Sequence, residues 1–395
     1  MKSNFMDKLL DGAEVEWKAL SDVAVLKRGR VMSKGYLTEN KGNFPVFSSQ
    51  TANNGMIGSI NTFDFDGEYV NWTTDGANAG TVFYRTGKFS ITNVSGLIKI
   101  KNESILSYKY LFYWLSIEAK KHVYSGMGNP KLMSNQVAKI LIPIPPLNVQ
   151  EEIVRILDTF TELTAELTAE LTAELTARKK QYNYYREQLL TFEEGEVEWK
   201  RLGEIGEFVR GNGLQKKNLV ESGVGCIHYG QIYTYYGNFA YQTKSFVSPA
   251  LANKLRKAKK GDLIIATTSE NIEDVCKPLV WLGEDEVCVS GETYIFKHNQ
   301  NPKYLAYYLQ TPMFFDYKKK NRTGTKVIRV HGDKLKKFEI PLPSISEQNR
   351  IVSILDKFDT LTTSISEGLP REIELRQKQY EYYRNMLLSF PKEGV

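Results

Sequence analysis

Cysteine and histidine are scarce in this chain. Three cysteines (Cys226, Cys276, Cys288) occur in 395 residues, without CxxC spacing. That argues against a disulfide framework or a zinc ribbon and fits a reducing, cytoplasmic compartment. Four histidines (His122, His228, His298, His331) are scattered, with no HExxH or His/Cys cluster, so no metal site is expected. Long apolar runs are missing as well. The first residues, MKSNFMDKLLDGAEVEWK, lack the apolar stretch of a signal peptide, and nothing approaches a membrane span.

Catalytic signatures are also missing. Gly211-Asn212-Gly213 lacks the third glycine and the downstream acid of a dinucleotide fingerprint, and there is no P-loop. Asn129-Pro130 runs into Lys131-Leu132 rather than into proline and an aromatic residue, so the methyltransferase NPPF-type motif is absent. Glu198-Trp199-Lys200 has the ExK form of some nucleases, but that tripeptide is common by chance. No catalytic residue is assigned.

What is present is a long helix and a duplication. TELTAELTAELTAELTA (Thr161–Ala177) contains three perfect TAEL units of strong helix formers. The helical pattern begins near Asn148 and runs to Phe192, about 65 Å at ~1.5 Å per residue. Leu163, Leu167, Leu171 and Leu175 form a stripe that drifts by about 40° per unit. Arg178–Phe192 matches Arg376–Phe390 at 10 of 15 positions, and Ile142–Phe160 matches Ile340–Phe358 at 10 of 19, both offset by 198. EVEWKAL (Glu14–Leu20) returns as EVEWKRL (Glu196–Leu202), offset by 182. The chain therefore reads head, arm, head, arm: 1–147, 148–194, 195–345 and 346–395. The arms are alike, whereas the heads differ by 16 residues and diverge in sequence. Gly368-Leu369-Pro370 stands in the second arm where the first has TAEL, and proline there predicts a kink or restart.

Within the first head, FPVFSS, GMIGSI, EYVNWTT, GTVFYR and GLIKI read as short strands between Gly and Asn turns. Ser104–Gly126 reads as a helix and loop, and the IPIPP connector as an extended joint. In the second head, Ile227–Tyr241 alternates like a hairpin, Asp262–Ser269 and Glu292–Lys297 read as strands, and Pro302–Lys320 as one helix. Both heads are mixed α/β bodies whose helix delivers a basic, Gly-containing loop.

The net charge is a modest +6, but its distribution is uneven. Asn253–Lys260, Asp316–Val330 and Lys334–Lys337 make the second head basic, which permits nucleic-acid contact. The loop residues Ser125, Asn129 and Lys131, with Arg322, Thr323, Thr325 and Lys326 in the other head, are candidate DNA contacts. Lys and Arg suit phosphate or guanine, and Asn suits adenine. Asn53, Asn54, Thr73, Thr74 and Asn78, with Gln231, Thr267 and Thr268, are weaker candidates.

Two dissimilar heads, two similar long helices, the IPIPP…QEEIVRILD and YNYYREQLL arms and the TAEL repeat together resemble the DNA specificity subunit of a Type I restriction–modification system, of the type IC branch. The resemblance implies an α+β fold in which two target-recognition domains are each followed by a long helix. The helices would pair as an antiparallel coiled coil with an internal pseudo-twofold repeat. Each head would read one half of a split double-stranded DNA target, with the helices setting the gap. Two modification subunits would dock on the arms, around Tyr182, Tyr185, Leu189, Tyr380, Tyr383 and Leu387, and methylate adenine. Two restriction subunits would add translocation and cleavage. S-adenosylmethionine, ATP and Mg are expected on those partners and none on this chain. The competing readings are a coiled-coil scaffold with two ligand-binding heads that do not bind DNA, and a fused nuclease or methyltransferase.

Overall fold

In the computed structural model, residues 3–126, 128–193, 195–363 and 367–390 are described. The chain divides into two compact units. One comprises Met1–Thr168 with Leu375–Val395, the other Ala169–Glu374. Each unit holds one head, the base of that head's own arm and the far end of the other arm. The division falls inside the TAEL repeats.

In the first unit β1 (Glu16–Ala19) carries the last three residues of the EVEWK echo. Further strands follow at β2 (Ala24–Arg28), β3 (Lys41–Phe47), β4 (Met56–Ile60), β5 (Phe65–Thr73), β6 (Val82–Ile91) and β7 (Ser95–Ile100), with β8 (Leu141–Ile144) in the proline connector. β1 and β8 pair antiparallel, Trp17 opposite Pro143, and close the head at its base. The other six form one sheet in the order β2-β7-β5-β6-β3-β4, parallel only between β3 and β6. All five strands expected between 43 and 100 are present. Their β-branched and aromatic residues alternate across a sheet whose turns supply Gly and Asn. Trp72 lies directly over β7, where a Cβ on Gly96 would come within 2.1 Å of its ring, so only glycine fits. The head helix, Tyr108–Glu118, is capped by the Ser107 hydroxyl and buries Tyr110, Leu111 and Leu115 against the sheet.

The second unit repeats the base with β9 (Glu198–Arg201), and its body opens with β10 (Gly206–Arg210) and β11 (Val224–Ile227). After β12 (Phe239–Ala240) and β13 (Ser245–Val247) come β14 (Lys257–Ala258), β15 (Leu263–Ala266), β16 (Thr268–Ser269) and β17 (Lys277–Trp281). The body ends with β18 (Val287–Val289), β19 (Thr293–His298) and β20 (Ile328–Arg329), and β21 (Glu339–Leu342) closes it. β9 pairs with β21, Trp199 opposite Pro341, as Trp17 meets Pro143. The body holds a five-stranded sheet (β10-β19-β15-β17-β12) and a four-stranded one (β13-β11-β18-β14). Two expectations are corrected here. Ile227–Tyr241 is not a hairpin: Tyr229–Thr234 is a short helix, because the His228 and Gln231 side chains cap its first turn. Pro302–Lys320 is two helices, Pro302–Tyr308 and Pro312–Asn321, since Pro312 restarts the helix behind its Thr311 cap.

The first arm is one helix of 43 residues, Leu147–Leu189. The second is interrupted as its Gly and Pro foretell, with helices Ile345–Thr363 and Gly368–Leu387. Gly368 has φ +77, and a Cβ there would sit 2.5 Å from the Thr360 carbonyl oxygen, so glycine is required at the restart. Within the first unit Phe160 packs on Tyr383 (5.5 Å between centroids) and the Thr161 hydroxyl meets that of Tyr380 at 3.0 Å. One arm ascends while the other descends, which is an antiparallel pairing. Within the second unit Phe358 packs on Tyr185, again at 5.5 Å, and on Tyr182. Adding 198 to the first aromatic pair maps Phe160 onto Phe358, and subtracting it maps Tyr383 onto Tyr185, so the pairing obeys the internal symmetry.

Each head is bolted to its arm in the same way. Gln150 donates to the Pro145 and Ile105 carbonyls and accepts from the Ser107 amide. Gln348 donates to the Pro343 carbonyl and accepts from the Asn301 amide. Asp158 accepts from Lys109 (2.5 Å) and Tyr113 (2.7 Å); Asp356 accepts from Lys303 (2.5 Å) and Tyr307 (2.7 Å). The buried Tyr110 and Tyr304 hydroxyls each donate to a connector proline carbonyl, Pro143 and Pro341, at 2.8 Å.

Candidate nucleic-acid interface

The loops that follow the head helices are pinched at their bases. In the first head, Tyr124 and Lys131 exchange backbone hydrogen bonds of 2.9 and 3.0 Å; in the second, Thr323 and Arg329 do so at 2.8 and 2.9 Å. Ser125, Asn129 and Lys131 are exposed, as are Arg322, Thr323, Thr325 and Lys326. A closed base with an exposed polar tip presents side chains without leaving long unpaired backbone. The Thr323 hydroxyl, however, bonds the Arg329 carbonyl and lies 3.4 Å from His331 Nε2, so it serves the loop base.

The weaker candidates divide. Asn53 and Asn54 are exposed in left-handed conformations (φ 50 and 51). Their loop is pinned from below by Arg85, which is 3 % exposed. Arg85 donates to the Asn54 carbonyl at 2.8 Å and lies over the Phe47 and Phe83 rings. Burial lowers its pKa to about 10. Thr73 and Thr74 are corrected: both are wholly buried. The Thr73 hydroxyl donates to the Asn78 carbonyl and accepts from the Thr81 amide, whereas Thr74 donates to Asp75. Asn78 itself donates to the Ser49 carbonyl. Thr267 and Thr268 are buried too, bonded respectively to the backbone and the carboxylate of Glu292. Gln231 caps its helix and donates to Ser245. These polar side chains build the loops rather than face outward.

The basic runs of the second head are likewise partly consumed. Lys318 is buried and donates to the Glu273 and Val275 carbonyls at 2.8 Å, and burial pushes its pKa down. Lys259 and Lys260 pair with Glu286 and Glu284.

On the arms, Tyr182 and Leu387 are corrected as docking residues. Tyr182 is 6 % exposed and stacks on Phe358, and Leu387 is 1 % exposed in the first core. Leu189, Tyr380 and Tyr383 are half-buried and Tyr185 is exposed at its edge. The tyrosines turned outward are Tyr184 and Tyr382, at 60 % and 54 %. They occupy matching positions in YNYYR and YEYYR. The second tyrosine of each run was the available signal, because neighbouring positions on a helix face different ways.

The comparisons agree with this architecture. The sequence profile of the Type I restriction modification DNA specificity domain matches twice, at residues 13–177 and 194–375. A Type I restriction enzyme specificity subunit from Escherichia coli is 36% identical over 98% of this chain and 98% of its own length. A putative Type I restriction enzyme specificity subunit from Haemophilus influenzae is 35% identical over 99% and 100%. Among solved structures, a chain from work on assembly and conformational transition of the type I R-M system superposes with TM-score 0.65 at 15% identity, over 95% of this chain and 98% of that one. The S subunit from M. genitalium gives 0.50 at 16%, over 97% and 98%. This chain belongs to the family of Type I restriction–modification DNA specificity proteins, and it carries the family's domain in duplicate. Among the described residues no helix is long and apolar enough to cross a membrane.

Proposed function

We propose that each head reads one half of a split double-stranded DNA target and that the arms set the distance between halves. The observation that carries this reading is the contrast within the repeat. Two heads with different sheets and different loop residues hang from arms through the same tyrosine, glutamine and aspartate bonds. Identical mounting suits a common partner, and different loops suit different half-sequences. Phosphate contacts from the exposed lysines and arginines would make affinity fall steeply with salt.

In this reading the chain directs and does not catalyse. Modification subunits dock on the arm faces that carry Tyr184 and Tyr382 and methylate adenine with S-adenosylmethionine. Restriction subunits supply the ATP- and Mg-dependent steps. The TAEL units support a type IC assignment within this reading.

The test is methylated-adenine mapping in cells that express this chain with a cognate modification subunit, beside a variant lacking Thr172–Leu175. A two-part motif is expected, with both halves kept and the gap changed in the variant. Methylation that follows no split motif, or DNA affinity indifferent to salt, would favour the scaffold reading instead.

A further inference from the structure

Behind each pinched loop lies a small charged cluster built from matching positions. Arg28 ends β2 and Arg210 ends β10, opposite Gly96 and Tyr294 in the adjacent strand. Lys131 and Arg329 close the two loops, each 12 positions before the clasp proline. In the first head Arg28 Nη2 donates to the Thr74 hydroxyl (3.2 Å) and to the Asn93 carbonyl. Thr74 donates to Asp75, whose other oxygen lies 3.9 Å from Lys131 Nζ. In the second head Arg210 Nε donates to the Gly291 carbonyl at 3.0 Å, and its Nη2 lies 4.0 Å from Glu292. Arg329 Nε lies 3.7 Å from the same carboxylate, which also accepts from Thr268.

The two cations keep their positions between heads, but the acid does not. Leu132 and Val330, one residue after each loop cation, donate their amides to the Thr74 and Thr267 carbonyls, which makes those threonines counterparts. Asp75 therefore corresponds to Thr268, and Glu292 to Val94. A carboxylate thus joins each cluster from an unrelated point in the chain: Glu292 meets both cations directly, whereas Asp75 meets Lys131 directly and Arg28 through the Thr74 hydroxyl. The acids are also the more sheltered partners. Side-chain exposure is 30% for Asp75 and 34% for Glu292, against 53%, 61% and 50% for Lys131, Arg210 and Arg329.

Resting on the DNA-reading function above, we propose that each cluster reads a guanine, with Arg28 and Lys131 as the donors in the first head and Arg210 and Arg329 in the second. Asp75 and Glu292 are positioning residues that hold those donors in direction. The sheltered acid separates this role from phosphate binding. A phosphate carries full negative charge and is repelled by a carboxylate held beside the cations, so a phosphate clamp is weakened by it. A base edge is neutral and demands direction, which a fixed carboxylate supplies. Guanine presents two acceptors, O6 and N7, to cationic donors in the major groove, and such a contact discriminates between bases by roughly 5- to 150-fold.

The test uses the full chain in complex with its modification subunit, and begins by mapping the wild-type methylation motif. Absence of a split motif overturns the function itself, and the guanine reading with it. Given a split motif, Arg210→Gln and Arg329→Gln are mapped next, with Arg28→Gln and Lys131→Gln as the reciprocal set. The expected result is relaxation at one G·C pair in the half-site of the altered head, by roughly 5- to 150-fold, with the other half and the gap unchanged. Glu292→Gln, which keeps shape and loses charge, should relax the same base pair more weakly. A uniform loss of binding across sequences, with a shallower salt dependence, would assign the cations to phosphate and overturn the proposal. An unchanged motif in all the variants would overturn it as well. Retained methylation of the half-site read by the unaltered head shows that a variant is folded.

Discussion

The two heads are alike where they meet their arms and unlike through most of their bodies. At the junction Tyr110 and Tyr304, Gln150 and Gln348, and Asp158 and Asp356 make the same bonds at nearly the same distances. Away from it, one head is a single six-stranded sheet and the other splits its strands between sheets of five and four. Beside the junction the first unit has a groove of about 980 Å³ between Trp17, Trp114, Leu388 and Phe390. The matching hollow of the second unit, between Trp199, Tyr308, Leu190 and Phe192, is about 250 Å³ and is also lined by Pro312 and Met313 of its additional helix. The mounting is shared because its buried tyrosine hydroxyls and glutamine amides must all be satisfied at once. The bodies vary because any sheet that buries its own apolar face will serve.

The largest effect that tests this likeness lies at the buried tyrosines. Tyr110→Ala and Tyr304→Ala should each destabilise their unit by about 3–5 kcal/mol, since both leave a large cavity and orphan a proline carbonyl. Denaturant unfolding should give similar losses for the two; a difference beyond about 2 kcal/mol would mean that the junctions are not equivalent in energy.

A smaller effect separates the heads. His298 stands where the first head has Ile100. Its Nδ1 accepts from the Gln300 amide, and its Nε2 is buried without a partner among the described residues. Burial lowers its pKa from 6.5 to about 4. The folded state therefore keeps it neutral while the unfolded chain protonates it. Stability is lost as pH falls from about 6.5 towards 4, by up to roughly 3 kcal/mol. His298→Ile should remove that dependence. Urea midpoints for wild type and variant at pH 7 and pH 4.5 would show it; parallel pH trends would sink the assignment.

The smallest expected effect concerns the junction lysines. Lys109 is 42% exposed and Lys303 is 22% exposed, each 2.5 Å from its aspartate. Lys109→Met should cost under about 0.5 kcal/mol and Lys303→Met about 1 kcal/mol, because screening weakens the more exposed pair. Equal losses would show that exposure does not control this contact.

How much of this was legible in sequence follows from range. The arms, their register and the break at Gly368 were readable because helix periodicity, repeats and glycine–proline signals act locally. The five strands of the first head were readable for the same reason. The site was legible only in part. Ser125, Asn129 and Lys326 stand exposed on their loops, and Lys131 is exposed where its loop closes. Thr73, Thr74, Thr267 and Thr268 look like loop polarity in sequence, but they are buried where strands end and spend their hydroxyls on neighbours. The Arg28 and Arg210 clusters escaped notice because their members come from three or four distant segments. Their acids occupy non-corresponding positions, so comparing the repeats line by line hides the likeness.

The clasp between the EVEWK strand and the proline connector has a consequence for how such a protein can change. Trp17 lies opposite Pro143, and Trp199 opposite Pro341, so each head enters and leaves its arm at one point. To the arm, a head is a plug whose two pins are always the same distance apart, whatever its length or internal wiring. Exchange of everything between the pins would alter what is read while the socket, and all that docks around it, stays untouched.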